Sequence, residues 1–245
     1  LATRLPFLAQ TLYEFDSVNL AVALTRFDLK EVTPHMPGYI LHVLLGRAAL
    51  LITPDANRAL ILVSLALSIG AVLALWRAAE AVRGERVAII AALLWLVTPL
   101  FWFHGAVAAV YAEEAFWTST LLLVGLRLLQ PSGHTSVGQI EARYEFALPV
   151  LLSLAGAARE SDLLFFAPAT IYLLWKRRTP TKRLLQLALL FTLVTLAWGA
   201  ELMHESGGLA HYLSFASHEV NYRTQSVLFG NSWRSQWDQI TKVLL

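Results

Sequence analysis

Apolar residues in this chain fall in long blocks, and short charged turns separate one block from the next. The first block covers 57–76 and ends in a turn containing Arg77, Glu80, Arg83, Glu85 and Arg86. A second covers 87–103 and a third 111–129. Two shorter blocks, 146–158 and 163–175, flank Arg159, Glu160, Ser161 and Asp162, and a last block covers 184–203. Leu and Ala fill these blocks without period-two alternation, which predicts helices. A helix needs about 20 apolar residues to cross about 30 Å of hydrocarbon, and in lipid only helices or closed barrels satisfy the backbone. The pattern therefore predicts an all-α fold, a polytopic transmembrane helical bundle.

The stretch 38–52 is apolar but short, and it carries His42 and Arg47. Counting it as a span would invert the topology, so it is read as a helix lying in the outer interface. A second interfacial helix is expected over 16–28, where Leu20, Leu24 and Phe27 share a face and Asp16 or Ser17 is placed to cap it. The predicted organisation is one membrane domain over 1–245: an outer loop with interfacial helices (1–56), transmembrane helices (57–203), an outer loop (204–240) and the start of a further helix (241–245). A chain that opens on Leu1 and stops inside an apolar segment is expected to be a fragment of a longer one.

Composition strengthens the membrane reading: 57% of residues are hydrophobic and 15% charged, with a mean hydropathy of +0.57. One soluble core does not absorb that much apolar surface. The formal charge of +2 adds little, but its distribution matters. Lys and Arg concentrate in 77–86, 127–143 and 176–183, and the positive-inside rule places those turns in the cytoplasm. The N-terminal stretch, the turn at 104–114, the Arg159–Asp162 turn and the segment after His204 then lie outside. The basic turns suit anionic lipid head groups, and their short, scattered form argues against nucleic acid as a partner. With no cysteine, disulfides and thiolate metal sites are excluded.

This topology gathers acidic residues on the outer side: Glu14 and Asp16, Glu113 and Glu114, Glu160 and Asp162. Carboxylates beside hydrocarbon are expensive and tend to face a cavity or a partner. Tyr111 and Glu114 share a helix face, with Glu113 about 100° away, so Glu114 is expected to point inward. Simpler roles stand beside the chemical ones. Asp16 suits a helix cap, Arg159 suits pairing with Glu160 or Asp162, and His35 suits packing within its proline-bounded turn. Tyr39, Trp102, Trp117, Trp233 and Trp237 suit interfacial anchors more than sugar platforms.

Phe15, Asp16, Ser17 and Asn19, followed by an amphipathic helix and then Thr33, Pro34, His35, Met36, Pro37, Gly38 and Tyr39, resemble the first outer loop of the GT-C superfamily of membrane glycosyltransferases. That superfamily includes the lipid A aminoarabinose transferases, the protein O-mannosyltransferases and uncharacterised bacterial relatives. Val110 to Phe116 is similar to the family's second outer acidic motif. Ala158 to Ser161 and the group Ser206, Gly207, Gly208, Leu209 and Tyr212 are similar to later outer turns. Met36 departs from the family pattern, which has proline there, and Glu114 occupies a place that often holds Asp or Asn.

The resemblance implies transfer of a sugar from a polyprenyl-phosphate donor to an acceptor on the non-cytoplasmic face, with inversion at the anomeric carbon. Asp16 and Glu114 are then the expected catalytic residues, with Asp16 as base. His35, Tyr39, Tyr111, Glu113 and Arg159 are expected to bind substrate, with Arg159 first, and His35 or Arg47 as alternatives, against the leaving phosphate. No cofactor is required, although a divalent metal bridging Asp16 and Glu114 fits the same residues. The acceptor, whether lipid, glycan or protein, is not legible. The expected location is a bacterial inner membrane, with the site facing the periplasm or exterior. The competing readings are a multi-pass transporter or flippase and a non-catalytic assembly subunit. A transporter more often shows inverted repeats and midplane charges, and the sequence has neither.

Overall fold

A computed structural model describes residues 4–129 and 137–226 of the chain. Among them the fold is all-helical, apart from one isolated bridge between Asp28 and Thr33. After a 3-10 turn at Leu5–Phe7, ten α-helices follow: α1 (Phe15–Ala23), α2 (Ile40–Leu50), α3 (Ala56–Arg83), α4 (Glu85–Val97), α5 (Pro99–His104), α6 (Tyr111–Leu129), α7 (Val137–Ala158), α8 (Glu160–Lys176), α9 (Thr181–Glu205) and α10 (Leu209–Ser226).

Local chemistry explains where these helices begin and end. Asp55 caps α3 by accepting from the Arg58 backbone N–H at 2.8 Å, and Gly84, with φ +80°, stops it. The charged turn expected from Arg77 is therefore helical as far as Arg83. The block 87–103, expected as one span, is two helices, because Thr98 is extended and Pro99 opens α5. The helix expected over 16–28 stops at Ala23. Neither Asp16 nor Ser17 caps it: Glu14 holds the cap position, and the Ser17 hydroxyl donates instead to the Ala108 carbonyl at 2.6 Å. The short block 146–158 belongs to a longer helix, α7, that begins at Val137, and α10 lies within the segment expected as an outer loop. The expected helix start at 241–245, Trp233 and Trp237 lie outside the described residues.

The helices pack through small residues and apolar ridges. α3 runs beside α6, and a Cβ placed on Gly70 would lie 2.7 Å from the Phe116 ring, so only glycine permits that approach. Trp117, Leu121, Val124 and Leu128 of α6 pack on Leu148, Leu152, Ala155 and Ala158 of α7 in antiparallel order, with Leu173 of α8 joining them. A second cluster joins Leu20 and Leu24 to Tyr39, Val43 and Leu60.

Two described helices, α3 and α9, are long and apolar enough to cross a membrane. Their surroundings differ. Over its most apolar stretch α3 is 56% buried within the protein, whereas α9 is 6% buried and leaves Leu185, Leu189, Leu193 and Leu196 exposed. Exposed large apolar residues continue on α4 and α8, including Leu94, Val97, Leu164, Phe165 and Trp175.

Where α6 ends and α7 begins, Glu145 receives Arg177 at 3.5 Å and Arg183 at 3.6 Å, and Arg177 also donates to the Leu128 carbonyl. The opposite pole collects the start of α6, the end of α7, the start of α8 and the α1–α2 region.

Candidate functional site

Asp16 enters this pole from the first turn of α1, which the Ser17–Ala108 hydrogen bond ties to the loop before α6. His35 enters from the loop that precedes α2. That loop is pinned where Asp28 and Thr33 exchange backbone hydrogen bonds of 2.6 and 2.9 Å, and the Thr33–Pro34 and Met36–Pro37 bonds on either side of His35 are cis. His35 Nδ1 lies 3.6 Å from an Asp16 carboxylate oxygen, and Nε2 lies 3.2 Å from the Tyr39 hydroxyl. Tyr39 adopts φ +43°, a left-handed conformation that an L-residue holds only when its surroundings enforce it. Here its ring is buried against Leu20, Leu24 and Leu60.

From the other side, Tyr111 and Glu114 project from the first turn of α6, and Arg159 from the turn between α7 and α8. Arg159 donates to the Glu114 carboxylate rather than pairing with Glu160 or Asp162. Tyr111 stacks at 4.3 Å on His104. The two sides meet electrostatically at Tyr39. Burial pushes its phenol up; Arg159 opposes that shift, and Glu114, Asp16 and Tyr111 add to it. Asp16, His35, Tyr39, Tyr111, Glu114 and Arg159 thus form one group drawn from four separate stretches of chain.

Glu113 departs from the expected orientation. It is 1% exposed and faces the protein interior, where His42 Nδ1 lies 2.8 Å from one carboxylate oxygen and Trp117 Nε1 donates to the other at 3.3 Å. Glu114, expected as the inward residue, instead lines the half-exposed cluster. Trp117 is a buried partner of Glu113 and not an interfacial anchor.

Arg47 is committed elsewhere. It pairs with Glu205 and donates to the Leu24 and Ala23 carbonyls at 3.0 and 3.3 Å, closing the C-terminal end of α1. That leaves Arg159 and His35 as the expected phosphate-facing groups within the cluster.

The first turn of α8 supplies Glu160 and Asp162, two of the outer acidic residues that were not among the expected site residues. Glu160 accepts from Tyr212 of α10, whose hydroxyl also lies 3.5 Å from the Pro37 carbonyl, so α10 is fastened to both α8 and the His35 loop. Asp162 precedes the apolar run that starts at Leu163. Burial pushes its carboxyl up to about 6; Glu114 and Glu113 reinforce the shift and Arg159 opposes it. One of its oxygens is buried without a hydrogen-bond partner. Among the described residues, no three His, Cys, Asp or Glu side chains converge as a metal site would require.

An apolar groove of about 400 Å³ runs below this cluster between α6 and α8. Thr118, Leu122, Gly125 and Leu129 line one wall, and Phe165, Phe166, Ala169 and Tyr172 the other. Thr118 is one helical turn beyond Glu114, and Phe166 one turn beyond Asp162, so the lining of the groove starts one turn from the charged residues of both helices. Comparisons of this chain with protein-family models, curated proteins and solved structures find no match.

Proposed function

We propose that this chain is a multi-pass membrane glycosyltransferase that takes its sugar from a polyprenyl-phosphate donor on the non-cytoplasmic face. The observation that carries the reading is an apolar α6–α8 groove whose lining begins at Thr118, one helical turn from Glu114 in the polar group of Asp16, His35, Tyr39, Tyr111, Glu114 and Arg159. An amphipathic donor has the same two parts. Its isoprenoid tail lies in the groove, which follows α6 for roughly 16 Å at 1.5 Å per residue. Its phosphate reaches Arg159, and its sugar reaches Asp16. The exposed apolar surfaces of α4, α8 and α9, and the basic turns at the opposite pole, support several crossings with that pole in the cytoplasm.

The chemistry is a single displacement. Asp16 accepts the proton of the acceptor hydroxyl, and the acceptor oxygen forms a bond to the anomeric carbon from the face opposite the phosphate. The bond from that carbon to the phosphate oxygen breaks, its electron pair leaves with the polyprenyl phosphate, and the configuration inverts. The positive charge of Arg159 stabilises the phosphate as it departs. His35, beside Asp16 and Tyr39, orients the carboxylate. Glu114 holds the guanidinium in place before the donor arrives.

A photoreactive polyprenyl phosphate tests the donor assignment directly. Crosslinks are expected on Thr118, Leu122 or Gly125 of α6 and on Phe165, Phe166 or Ala169 of α8. Adducts confined to the outer surface of α9 would overturn it.

A further inference from the structure

The most deeply buried ionisable pair among the described residues joins α2, which Tyr39 precedes as N-cap, to α6, which carries Tyr111 and Glu114. His42 and Glu113 are 0% and 1% exposed, and Nδ1 lies 2.8 Å from Oε2. Trp117 donates to the other carboxylate oxygen at 3.3 Å, so both oxygens of Glu113 are partnered within the protein. Burying a carboxylate in an apolar bundle is tolerated only when it is partnered, and here the partner comes from a different helix.

The neighbours of the pair give the contact its consequence. His42 lies in the first turn of α2, three residues after Tyr39, which occupies the N-cap of that helix. Glu113 precedes Glu114 in the first turn of α6, two residues after Tyr111. Fixing His42 to Glu113 therefore fixes the residue that holds His35 relative to the residue that holds Arg159.

We propose that the His42–Glu113 contact is the positioning element of the site: it sets the separation between the Asp16–His35–Tyr39 half and the Tyr111–Glu114–Arg159 half. Its kinetic consequence rests on the glycosyltransferase reading. Neither residue touches substrate. Displacing reacting groups by about 1 Å lowers a rate by on the order of 100-fold, so a loosened contact is felt in turnover.

The test uses the full-length protein in vesicles, with kcat and donor KM normalised to folded protein. His42→Gln and Glu113→Gln are each expected to lower kcat by about 10- to 100-fold while donor KM stays within about threefold. The exchanged double variant His42→Glu with Glu113→His restores the pair in reverse and is expected to regain most of the loss. A role in packing alone would reduce the folded yield and leave turnover per folded molecule unchanged. Single-variant kcat within about twofold of wild type would therefore overturn the proposal. A second readout needs no reaction. These 245 residues contain no cysteine, so Ala48→Cys on α2 and Leu122→Cys on α6, with any cysteine outside them replaced by serine, accept a unique pair of spin labels. His42→Gln is expected to shift or broaden their distance distribution, and an unchanged distribution would overturn the proposal. A wild type that transfers no sugar would overturn the glycosyltransferase reading alone and leave the label distance to decide this one.

Discussion

Arg159, in the turn between α7 and α8, donates to the Glu114 carboxylate in the first turn of α6, so the site's cation is held by an acid before any anionic ligand arrives. A phosphate that binds Arg159 competes with Glu114 for the same donors. This makes Glu114 a placeholder whose removal and whose partner's removal have different effects.

Arg159→Ala is expected to weaken donor use by about 10- to 100-fold in donor KM, the loss of one charge-assisted hydrogen bond worth about 1.5–3 kcal/mol. Glu114→Gln removes the competing charge and keeps the shape. Its donor KM is expected to be at or below wild type, while kcat falls because Arg159 is less well oriented. Steady-state kinetics on the two variants separate these effects.

Asp162 adds a pH dependence. Its folded value of about 6 lies above its ordinary 3.8, because burial and the neighbouring Glu114 and Glu113 disfavour its charge. The folded chain therefore binds an extra proton between those values. The stability linked to this group is fully present below about pH 3.8 and is lost as pH rises through about 6. Asp162→Asn is expected to raise the thermal midpoint at pH 7.5 and leave it unchanged near pH 4. Since the ionised carboxylate faces Arg159, donor KM is also expected to rise above about pH 6 in wild type and to stay flat in Asp162→Asn.

The groove is tested at Gly125. A Cβ there meets only Leu173, at 4.0 Å, so Gly125→Ala is expected to be tolerated and to stabilise α6 by about 0.5–1 kcal/mol. Gly125→Phe places a ring in the groove and is expected to raise donor KM by about tenfold or more with little change in the thermal midpoint. Equal kinetics for the two variants would place the donor tail elsewhere.

Much of this architecture was legible because apolar length and basic turns are local signals. The start of α6, the Arg159 turn and the His35 loop were expected on one side of the membrane, and they meet at one pole of the fold. Orientation was not legible. The face shared by Tyr111 and Glu114 follows from helix geometry, but which face turns inward depends on His42, 71 positions away from Glu113. The capping role expected of Ser17 failed for the same reason: its hydroxyl reaches the Ala108 carbonyl, 91 positions distant. Tyr212 and Glu160 are 52 apart, and neither carries a local pattern that announces the other. The break at Pro99, in contrast, splits the block 87–103 that was expected as one span, although the proline itself is a local signal for it.

The arrangement of the poles has its own test. A cysteine introduced at Ser161, beside Arg159, is expected to react with a membrane-impermeant maleimide in intact cells. One at Lys182, in the basic turn before α9, is expected to react only after permeabilisation. Labelling of both from one side would contradict the multi-pass arrangement.

The most direct measurement of the central claim is transfer of labelled sugar from polyprenyl-phosphate donors in vesicles carrying the full-length protein, with wild type beside Asp16→Asn. Wild type is expected to transfer sugar from at least one donor, with Asp16→Asn slower by about 100-fold or more at equal insertion and folding. Equal transfer by the two proteins would remove Asp16 as the base, and no transfer by folded wild type from any donor, with a broad acceptor extract present, would contradict the glycosyltransferase assignment.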